Sequence, residues 1–552
     1  MASTNILSTL VHGFTLILLL FLPQTANAQD GTFSMELLVP ENSLTRAWDI
    51  HYAPDDQLWI TERSIGRLLR LDPETGAEDE LLVIPGAFSA SGQDGLLGFA
   101  LHKDFDDGSP FVYLSYTYLE FLERRQAILR YTFTEVDGDG SLVDAVLLMD
   151  GLPASNDHNS GRLVFGPDQK LYYTIGDQGN NQNRNYCSEV VSQFLPTQEQ
   201  IDQSNWINYP GKTLRLNLDG SIPEDNPVLG GVRSHIFTLG HRNAQGLAFS
   251  ASGLLYSSEH GPNTDDEVNL LTAGSNYGWP RVVGMLDDQA YDYCNWSSLD
   301  NCSDLTFSKT ECPPGAEFFE ESSFTDPTYR DPLMALFAVT DDYDFENPIC
   351  EDSYTCRPNI APSSLAIYES DAIPGWKNSL LIPSLKRGRL YRLKLDDSGQ
   401  AIVGDTTHHF YSGNRYRDIA LAPDGKTFYL LTDQAGPVTD ESGLNRLTDV
   451  RNPGTIMKVT YEASVSVPSV LDAREVSIYP NPATDLIRLN PQRPDITIAS
   501  VTLLDARGAV VKQVDQLGGG PVTLAVDEVA AGVYFVKVVT DRGSLTRRVV
   551  VR

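Results

Sequence analysis

Apolar and polar positions along this chain recur in a short unit rather than in long helical stripes. A brief apolar strand is followed by a turn of Pro, Asp or Gly, then by a second strand rich in Tyr, Leu and Thr. The unit is plain at Asp49–Thr61, Leu163–Thr174, Gly246–Ser257 and Ile419–Leu431. It is looser at Leu96–Tyr116 and stretched by a longer connection at Ser364–Ile382. Several copies continue into further strands of one type, GRLLRLD at Gly66–Asp72, GKTLRLNLDG at Gly211–Gly220, GRLYRLKLD at Gly388–Asp396 and GTIMKVTY at Gly454–Tyr461. Six four-stranded units predict an all-β fold, a six-bladed β-propeller over residues 30–462, in preference to an irregular β-sandwich. Loops at one mouth of the central channel of such a fold gather its ligand site.

After Tyr461 the pattern stops. Residues 463–474 are small and polar and read as a linker. From Glu475 to Arg552 a separate all-β segment begins, with short strands and clear turns, of a length that suits a small β-sandwich.

Composition sharpens this picture. With 43 Gly, 32 Pro and 24 Tyr in 552 residues, many short strands joined by turns are favoured over helices. A net charge of −33 argues against nucleic acid as a partner and makes any local cluster of cations notable. The apolar run Phe14–Leu22, followed by Ala26-Asn27-Ala28, reads as a signal peptide over residues 1–28 and is too short to span a bilayer. Six cysteines in an exported chain suggest disulfides. Cys350 and Cys356 are close enough to close a small loop; Cys294, Cys302 and Cys312 share one polar insertion, with Cys187 as an outside partner; none has CxxC spacing.

The chemistry gathers in loops. Asp157-His158 precedes the hairpin over Arg162–Ile175, and Gly176-Asp177-Gln178-Gly179 follows it, so rigid strands hold both. Arg242-Asn243, Lys386-Arg387 and the pair Arg415 and Arg417 supply cations from different units. Residues two apart in a strand face the same way, so Arg415 and Arg417 can grip one anion bearing carboxylates or phosphates. Glu259–Glu267 offers carboxylates and the carbonyls of Gly261 and Pro262, a set that suits calcium. Asp137-Gly138-Asp139-Gly140 lacks the rest of a calcium loop and reads as a hairpin turn.

These residues sit in a collinear series: SGQDGLLGFALHKDF (Ser91–Phe105), DHNSGRLVFGPDQKLYYTIGDQG, SHIFTLGHRNAQGLAF, GPNTDDEVNL, SNYGWP, PSLKRG, NRYRD and LLTDQAG. Over residues 36–462 the chain resembles the soluble PQQ-dependent glucose/aldose sugar dehydrogenases, secreted quinoprotein propellers that bind calcium. The resemblance implies oxidation of an aldose at its anomeric hydroxyl to the lactone, with PQQ and calcium as cofactors and a small soluble electron acceptor. It implies His158 as general base, Asp177 as its orienting acid and Arg242 as the group stabilising developing negative charge. Gln93, Asn243, Lys386, Arg415, Arg417 and Asp433 would surround the cofactor, and Gln93 and Asp157 the sugar. Gly261 and Pro262 would bind the calcium beside the cofactor, and Glu267, Tyr277 and Asp287 a structural one. The family likeness also admits a homodimer. Arg357 stands where glucose enzymes of the family carry an aromatic residue, His260 where Gln is usual and Asn359 where Thr is, and Tyr291–Asp331 has no clear counterpart. Val283 and Met285 fall where family members supply backbone carbonyls to calcium, a role that tolerates the change of side chain.

Two other functions weigh against this. A non-catalytic glycan- or protein-binding propeller has no use for the base, acid and cations together. A lactonase-type propeller needs carboxylates converging on a channel metal. Residues 475–552 resemble the C-terminal sorting domain of the type IX secretion system, through Tyr479-Pro480-Asn481-Pro482, the Asp505–Gly508 turn, Ala531-Gly532-Val533-Tyr534 and a closing basic strand. That likeness implies passage through the periplasm to the cell surface or medium, with the type IX machinery as a partner.

Overall fold

Period-two alternation broken by Gly, Pro and Asp turns yields antiparallel hairpins, and nearly all regular structure here is strand. The computed structural model describes residues 31–90, 92–309, 311–345, 353–463, 471–472, 474–518 and 520–552. The expected signal peptide and most of the expected linker lie outside the described residues, as does Cys350. Among the described residues, no helix is long and apolar enough to cross a membrane.

Two compact units form, one over Thr32–Glu462 and one containing Ala463–Arg552. The first holds six four-stranded sheets. Five take their strands in sequence order. The sixth takes Tyr416–Leu421, Thr427–Thr432 and Ile456–Ala463 from the end of the unit and completes itself with Gly31–Leu37 from its beginning. The Asp137–Gly140 turn links Glu123–Val136 to Asp139–Pro153 as a hairpin, as its composition predicts.

The first strands of the sheets are Ala47–Tyr52, Leu96–Leu101, Ser160–Phe165, Ala244–Phe249, Ala366–Tyr368 and Tyr416–Leu421. Each packs on the next in that order, and the last packs on the first. Apolar side chains fill the layers between neighbouring sheets. Ile50, Leu58 and Ile60 meet Tyr429 and Leu431, while Ala100 and Tyr113 meet Leu163, Tyr173 and Leu214.

At the centre of these strands lies a buried ionic hub. Arg162 donates through Nη1 to Asp49 and to Asp418 Oδ2 at 2.8 Å, through Nε to the Gln245 carbonyl at 2.9 Å, and through Nη2 to the Ser363 carbonyl at 3.4 Å. Asp49 Oδ2 accepts from the Phe99 amide at 3.0 Å, and Asp418 Oδ2 from the Ile50 amide at 3.0 Å. One guanidinium and two carboxylates thus tie together strands of five sheets and the segment at Ser363 that leads into the other, satisfying groups that would be costly to bury alone.

The second unit has a three-stranded sheet (Val476–Tyr479, Leu486–Pro491, Val522–Ala525) and a four-stranded sheet (Ile498–Leu504, Val510–Gly518, Gly532–Thr540, Gly543–Val551). Alternate residues Val476, Ile487, Leu489, Val501, Val536, Val538 and Val549 share one core.

Candidate active site

Two loops flanking one hairpin meet at His158. Its backbone is left-handed (φ 45°), as is that of Ser160 (φ 54°). Such conformations cost non-glycine residues about 1–3 kcal/mol each and persist only where the surroundings hold them. Asn159 does so by donating to the carbonyls of Gln93 (2.9 Å) and Ser155 (2.8 Å), and Ser155 Oγ by sharing its one hydrogen between those of Asp157 (2.6 Å) and Gln178 (2.7 Å). Gly176 permits the approach from below, since a Cβ there would stand 2.0 Å from the His158 carbonyl oxygen.

The imidazole is clamped as tightly as its backbone. Asp177, fully buried, accepts from His158 Nδ1 at 2.7 Å and from the Gly179 amide at 2.8 Å through Oδ1. Its Oδ2 accepts from Trp279 Nε1 at 2.9 Å. An ionised carboxylate only accepts, so Nδ1 carries the proton and Nε2 keeps its lone pair. Gln182 Nε2 lies 3.1 Å from that Nε2, and Gln182 Oε1 accepts from Arg242 Nη2 at 2.7 Å. Arg242 is fixed further by its amide on Glu259 Oε2 (2.9 Å), by Nη1 on the His260 carbonyl (3.1 Å) and by the Trp279 ring, 5.3 Å from its guanidinium carbon.

The His158 amide donates to Asp157 Oδ1 at 3.1 Å, and from there a chain of amides runs to the cations. Asp157 Oδ1 accepts from Gln93 Nε2 at 2.7 Å; Gln93 Oε1 accepts from Asn243 Nδ2 at 3.2 Å and from Gln245 Nε2 at 2.7 Å. Gln245 Oε1 accepts from Arg417 Nη1 at 3.1 Å. Arg417 pairs with Asp433 at 2.7 Å and Arg415 reaches the same carboxylate at 3.5 Å, so the two guanidiniums do face one object. Burial would raise the Asp433 carboxyl, yet Arg417, Arg415 and Arg63 together hold it far below the usual carboxylate range. Lys386 lies buried with Nζ on Asn359 Oδ1. Burial pulls its ammonium down to about 7; Asp266 opposes the shift, while Arg387, Arg357 and Arg415 add to it.

The residues expected at metal sites make separate contacts. Gly261 is obligatory, since a Cβ would stand 1.8 Å from the Thr264 carbonyl oxygen, and its amide donates to Asp266 Oδ1 at 2.9 Å. Pro262 lines the cavity beside Gln182 and Trp279. Glu267 accepts from the Gly284 amide (2.8 Å) and Asn269 (3.0 Å), the Tyr277 hydroxyl donates to the Leu270 carbonyl (2.6 Å), and Asp287 Oδ1 accepts from the Gln289 amide (3.1 Å). Among the described residues no group of three or more His, Cys, Asp or Glu is arranged to hold a metal ion.

Cys187 pairs with Cys302, and Cys294 with Cys312, pinning the insertion to the loop that carries Gln182. Cys356 is disulfide-bonded. Four residues of the site escaped sequence reasoning: Gln182, Gln245, Trp279 and Arg63. Gln245 carried no periodic signal, because Asn243 lies ahead of the strand Ala244–Phe249 and the register shifts between Ala244 and Gly246. The other three arrive from loops whose convergence leaves no local pattern.

Residues 44–326 and 328–440 match the glucose / sorbosone dehydrogenase family, and residues 477–552 match the secretion system C-terminal sorting domain. The chain is 44% identical over 452 residues to quinoprotein glucose dehydrogenase B of Acinetobacter calcoaceticus, covering 80% of this chain and 93% of that protein. It is 27% identical over 430 residues to an aldose sugar dehydrogenase of Escherichia coli, covering 77% of this chain and 96% of that one. The PQQ-bound structure of aldose sugar dehydrogenase from Streptomyces coelicolor superposes with a TM-score of 0.52 at 25% identity, over 78% of this chain and 99% of that one. With the family match running over most of the chain, and a relative 44% identical over 80% of it, the chain belongs to the glucose/sorbosone dehydrogenase family.

Proposed function

We propose that this protein is an exported quinoprotein that oxidises the anomeric hydroxyl of an aldose to the lactone, using PQQ and calcium. Its six sheets are then the blades of a propeller over residues 30–462, and its C-terminal unit a sorting β-sandwich over 475–552. The observation that carries the reading is the linked set of His158 with Asp177, Gln182 and Arg242, joined through Asp157, Gln93 and Gln245 to Arg417.

The residues fit the cofactor by their own imbalance. Among the described residues, three buried cations, Arg63, Lys386 and Arg417, and the largely covered Arg415 meet three carboxylates, Asp433, Asp266 and Asp94. The Nε atoms of Arg63, Arg242, Arg415 and Arg417 are buried without hydrogen-bond partners. A small tricarboxylate would supply the missing acceptors. Lys386, Arg415 and Arg417, with Asn243 and Gln93, would hold it, Asp433 trimming the charge. The carbonyls of Gly261 and Pro262 would take a calcium ion, and Glu267, Tyr277 and Asp287 a structural one. When bound, PQQ supplies a two-electron acceptor for hydride and calcium a Lewis acid.

The chain's own residues do the rest. His158 Nε2 removes the proton of the anomeric hydroxyl as hydride leaves the same carbon, so the sugar loses two electrons and two hydrogens and becomes a lactone. Asp177 keeps the imidazole in the accepting tautomer and stabilises its cation. Arg242, held by Gln182 and Trp279, sets a fixed positive charge beside the base, already oriented when charge develops. Gln93 and Asp157 orient the sugar. The His158 proton then passes to solvent. The signal peptide over 1–28 and the sorting domain would route the protein through the periplasm to the type IX machinery.

The test is to load the purified chain with PQQ and calcium and follow dye reduction over a panel of aldoses. Reduction that depends on both additions and on the sugar is expected. PQQ bound in stoichiometric amount with no reduction by any aldose would overturn the reading.

A further inference from the structure

Beside His158 the molecule opens into a cavity of about 630 Å³, within the size range of small-molecule sites. Gln182 and Trp279 line it, the first touching the His158 imidazole and the second its acid partner Asp177. Lys309 lines it too and is exposed there. The oxidation at His158 makes no use of this lysine. Its ammonium stands 5.3 Å from the centre of the Tyr354 ring, and Lys386 Nζ stands 4.8 Å from the same ring. An aromatic face attracts an ammonium but leaves its N–H groups free to donate. Among the described residues no carboxylate lies within ion-pair distance of Lys309.

The charges acting on Lys309 are those of Arg357, Arg242 and Asp157. Partial burial lowers the pKa of the ammonium, Arg357 and Arg242 lower it further, and Asp157 opposes them. Two guanidiniums against one carboxylate leave this corner positive, in a chain whose net charge is −33. The other carboxylates of the cavity wall, Asp288, Asp292, Glu311, Glu320 and Asp341, are not among the groups that set the lysine's charge state. Arg357 is buried and donates through Nη1 to Asn263 Oδ1, and Asn263 lines the cavity. The Arg357 carbonyl accepts from Arg387 Nη2 at 2.8 Å, which fixes its backbone to the loop that carries Lys386. Asp157 Oδ1 lies 3.8 Å from His158 Nε2. The lysine and the base therefore face one space, with a fixed guanidinium behind the lysine. A neutral sugar offers such a corner only hydroxyls, whereas an ionised group forms the stronger, charge-assisted bonds.

Resting on the dehydrogenase reading, we propose that the substrate is an acidic aldose, one bearing a carboxylate or phosphate at the end of its carbon chain remote from the anomeric carbon. The acidic group pairs with Lys309, and Arg357 adds its field, while the anomeric hydroxyl faces His158 Nε2. The reaction is unchanged: the anomeric carbon loses hydride and its hydroxyl a proton, and the acidic group keeps its charge throughout.

The test measures kcat/KM on the PQQ- and calcium-loaded full chain for glucose, galactose, glucuronate, galacturonate and glucose 6-phosphate, in the wild type, Lys309→Met and Lys309→Arg. The wild type is expected to favour at least one acidic sugar over its neutral parent by about tenfold or more. Lys309→Met should abolish that preference through KM, leaving the neutral sugars within about twofold and the bound PQQ, read by absorbance, unchanged; Lys309→Arg should keep it. Calorimetric titration of the loaded chain, its cofactor first reduced so that no turnover occurs, should show the same preference and its loss in Lys309→Met. A preference confined to the uronates identifies a carboxylate and one confined to glucose 6-phosphate a phosphate; either supports the proposal. Neutral sugars oxidised as well as or better than every acidic one, or a preference that survives Lys309→Met, overturns it and leaves the dehydrogenase intact. Loss of PQQ in Lys309→Met assigns the lysine to the cofactor and overturns it equally. Failure to oxidise any aldose removes the dehydrogenase reading, and this one with it.

Discussion

Replacing Asp177 by Asn tests the base directly, because the carboxylate serves three donors and an amide cannot. Oδ1 accepts from His158 Nδ1 and Gly179, while Oδ2 accepts from Trp279 Nε1. In one orientation the new amide keeps its oxygen on His158 and turns its NH2 group against the Trp279 N–H, leaving two buried donors facing each other, at about 1–3 kcal/mol. In the other, the NH2 group points at His158, Nδ1 must become the acceptor, and the proton moves to Nε2. The lone pair that should take the sugar's proton is then gone. A positioned base contributes about 10²–10⁴-fold, or roughly 3–5 kcal/mol of barrier. The assay is steady-state dye reduction by the PQQ- and calcium-loaded variant at saturating sugar, with bound PQQ measured by absorbance. A fall in kcat of about 10²-fold or more with cofactor content unchanged is expected. A variant that binds PQQ fully and keeps kcat within about threefold of the wild type would refute the assignment of His158 and Asp177.

Three further outcomes follow from the same contacts. Lys386, pulled to about 7 in the cofactor-free protein, must be protonated to pair with a carboxylate. PQQ affinity should therefore fall as pH rises above 7, by up to about tenfold per pH unit, and Lys386→Met should flatten the profile when binding is titrated from pH 6 to 9. Arg162→Met would strand Asp49 and Asp418 without their partner, and urea unfolding should show a loss of about 3–5 kcal/mol; a loss under 1 kcal/mol would mean that the hub is not a fastening point. His235 is held neutral by burial, its pKa lowered to about 4, with Nε2 on the Gly220 carbonyl (3.1 Å) and Nδ1 facing the Tyr209 hydroxyl (3.0 Å). The unfolded chain binds a proton at about 6.5, so stability should drop by about 3 kcal/mol as pH falls from 6.5 to 4. His235→Gln should remove that part of the slope in melts recorded across the range.

Much of the strand content was legible because a half-buried strand writes its period into sequence, and the Pro-Asp and Ser-Gly turns between Phe165 and Leu171 or Phe249 and Leu255 punctuate it. Arg415 and Arg417 do reach one carboxylate, that of Asp433, but Arg415 lies ahead of the strand Tyr416–Leu421 and the register shifts between Tyr416 and Asp418, so strand period alone does not bring them together. What stayed hidden depends on which distant segments meet. Trp279 reaches Asp177 across the space between two loops, Gln182 bridges His158 to Arg242 from a loop with no periodicity, and Arg63 joins Asp433 from the opposite end of the unit. Nothing near Gly31 announces that it completes a sheet begun at Tyr416, because a single strand's pattern states that it is paired but not with whom. The cysteine pairs were legible only as a choice of partners, and the folded insertion made it.

That late-completed sheet has a consequence for biogenesis. Gly31–Leu37 is among the first residues synthesised after the expected leader, and its only neighbour in the sheet, Ile456–Ala463, is among the last of its unit. Until both have emerged, one strand presents a bare row of amides and carbonyls, the kind of edge that recruits other chains. A leader cut a few residues too late would be tolerated, whereas a cut a few residues too early, inside Gly31–Leu37, would leave that edge permanently open. Chains starting at Leu38 should then elute as aggregates in size-exclusion chromatography while chains starting at Gln29 elute as discrete species.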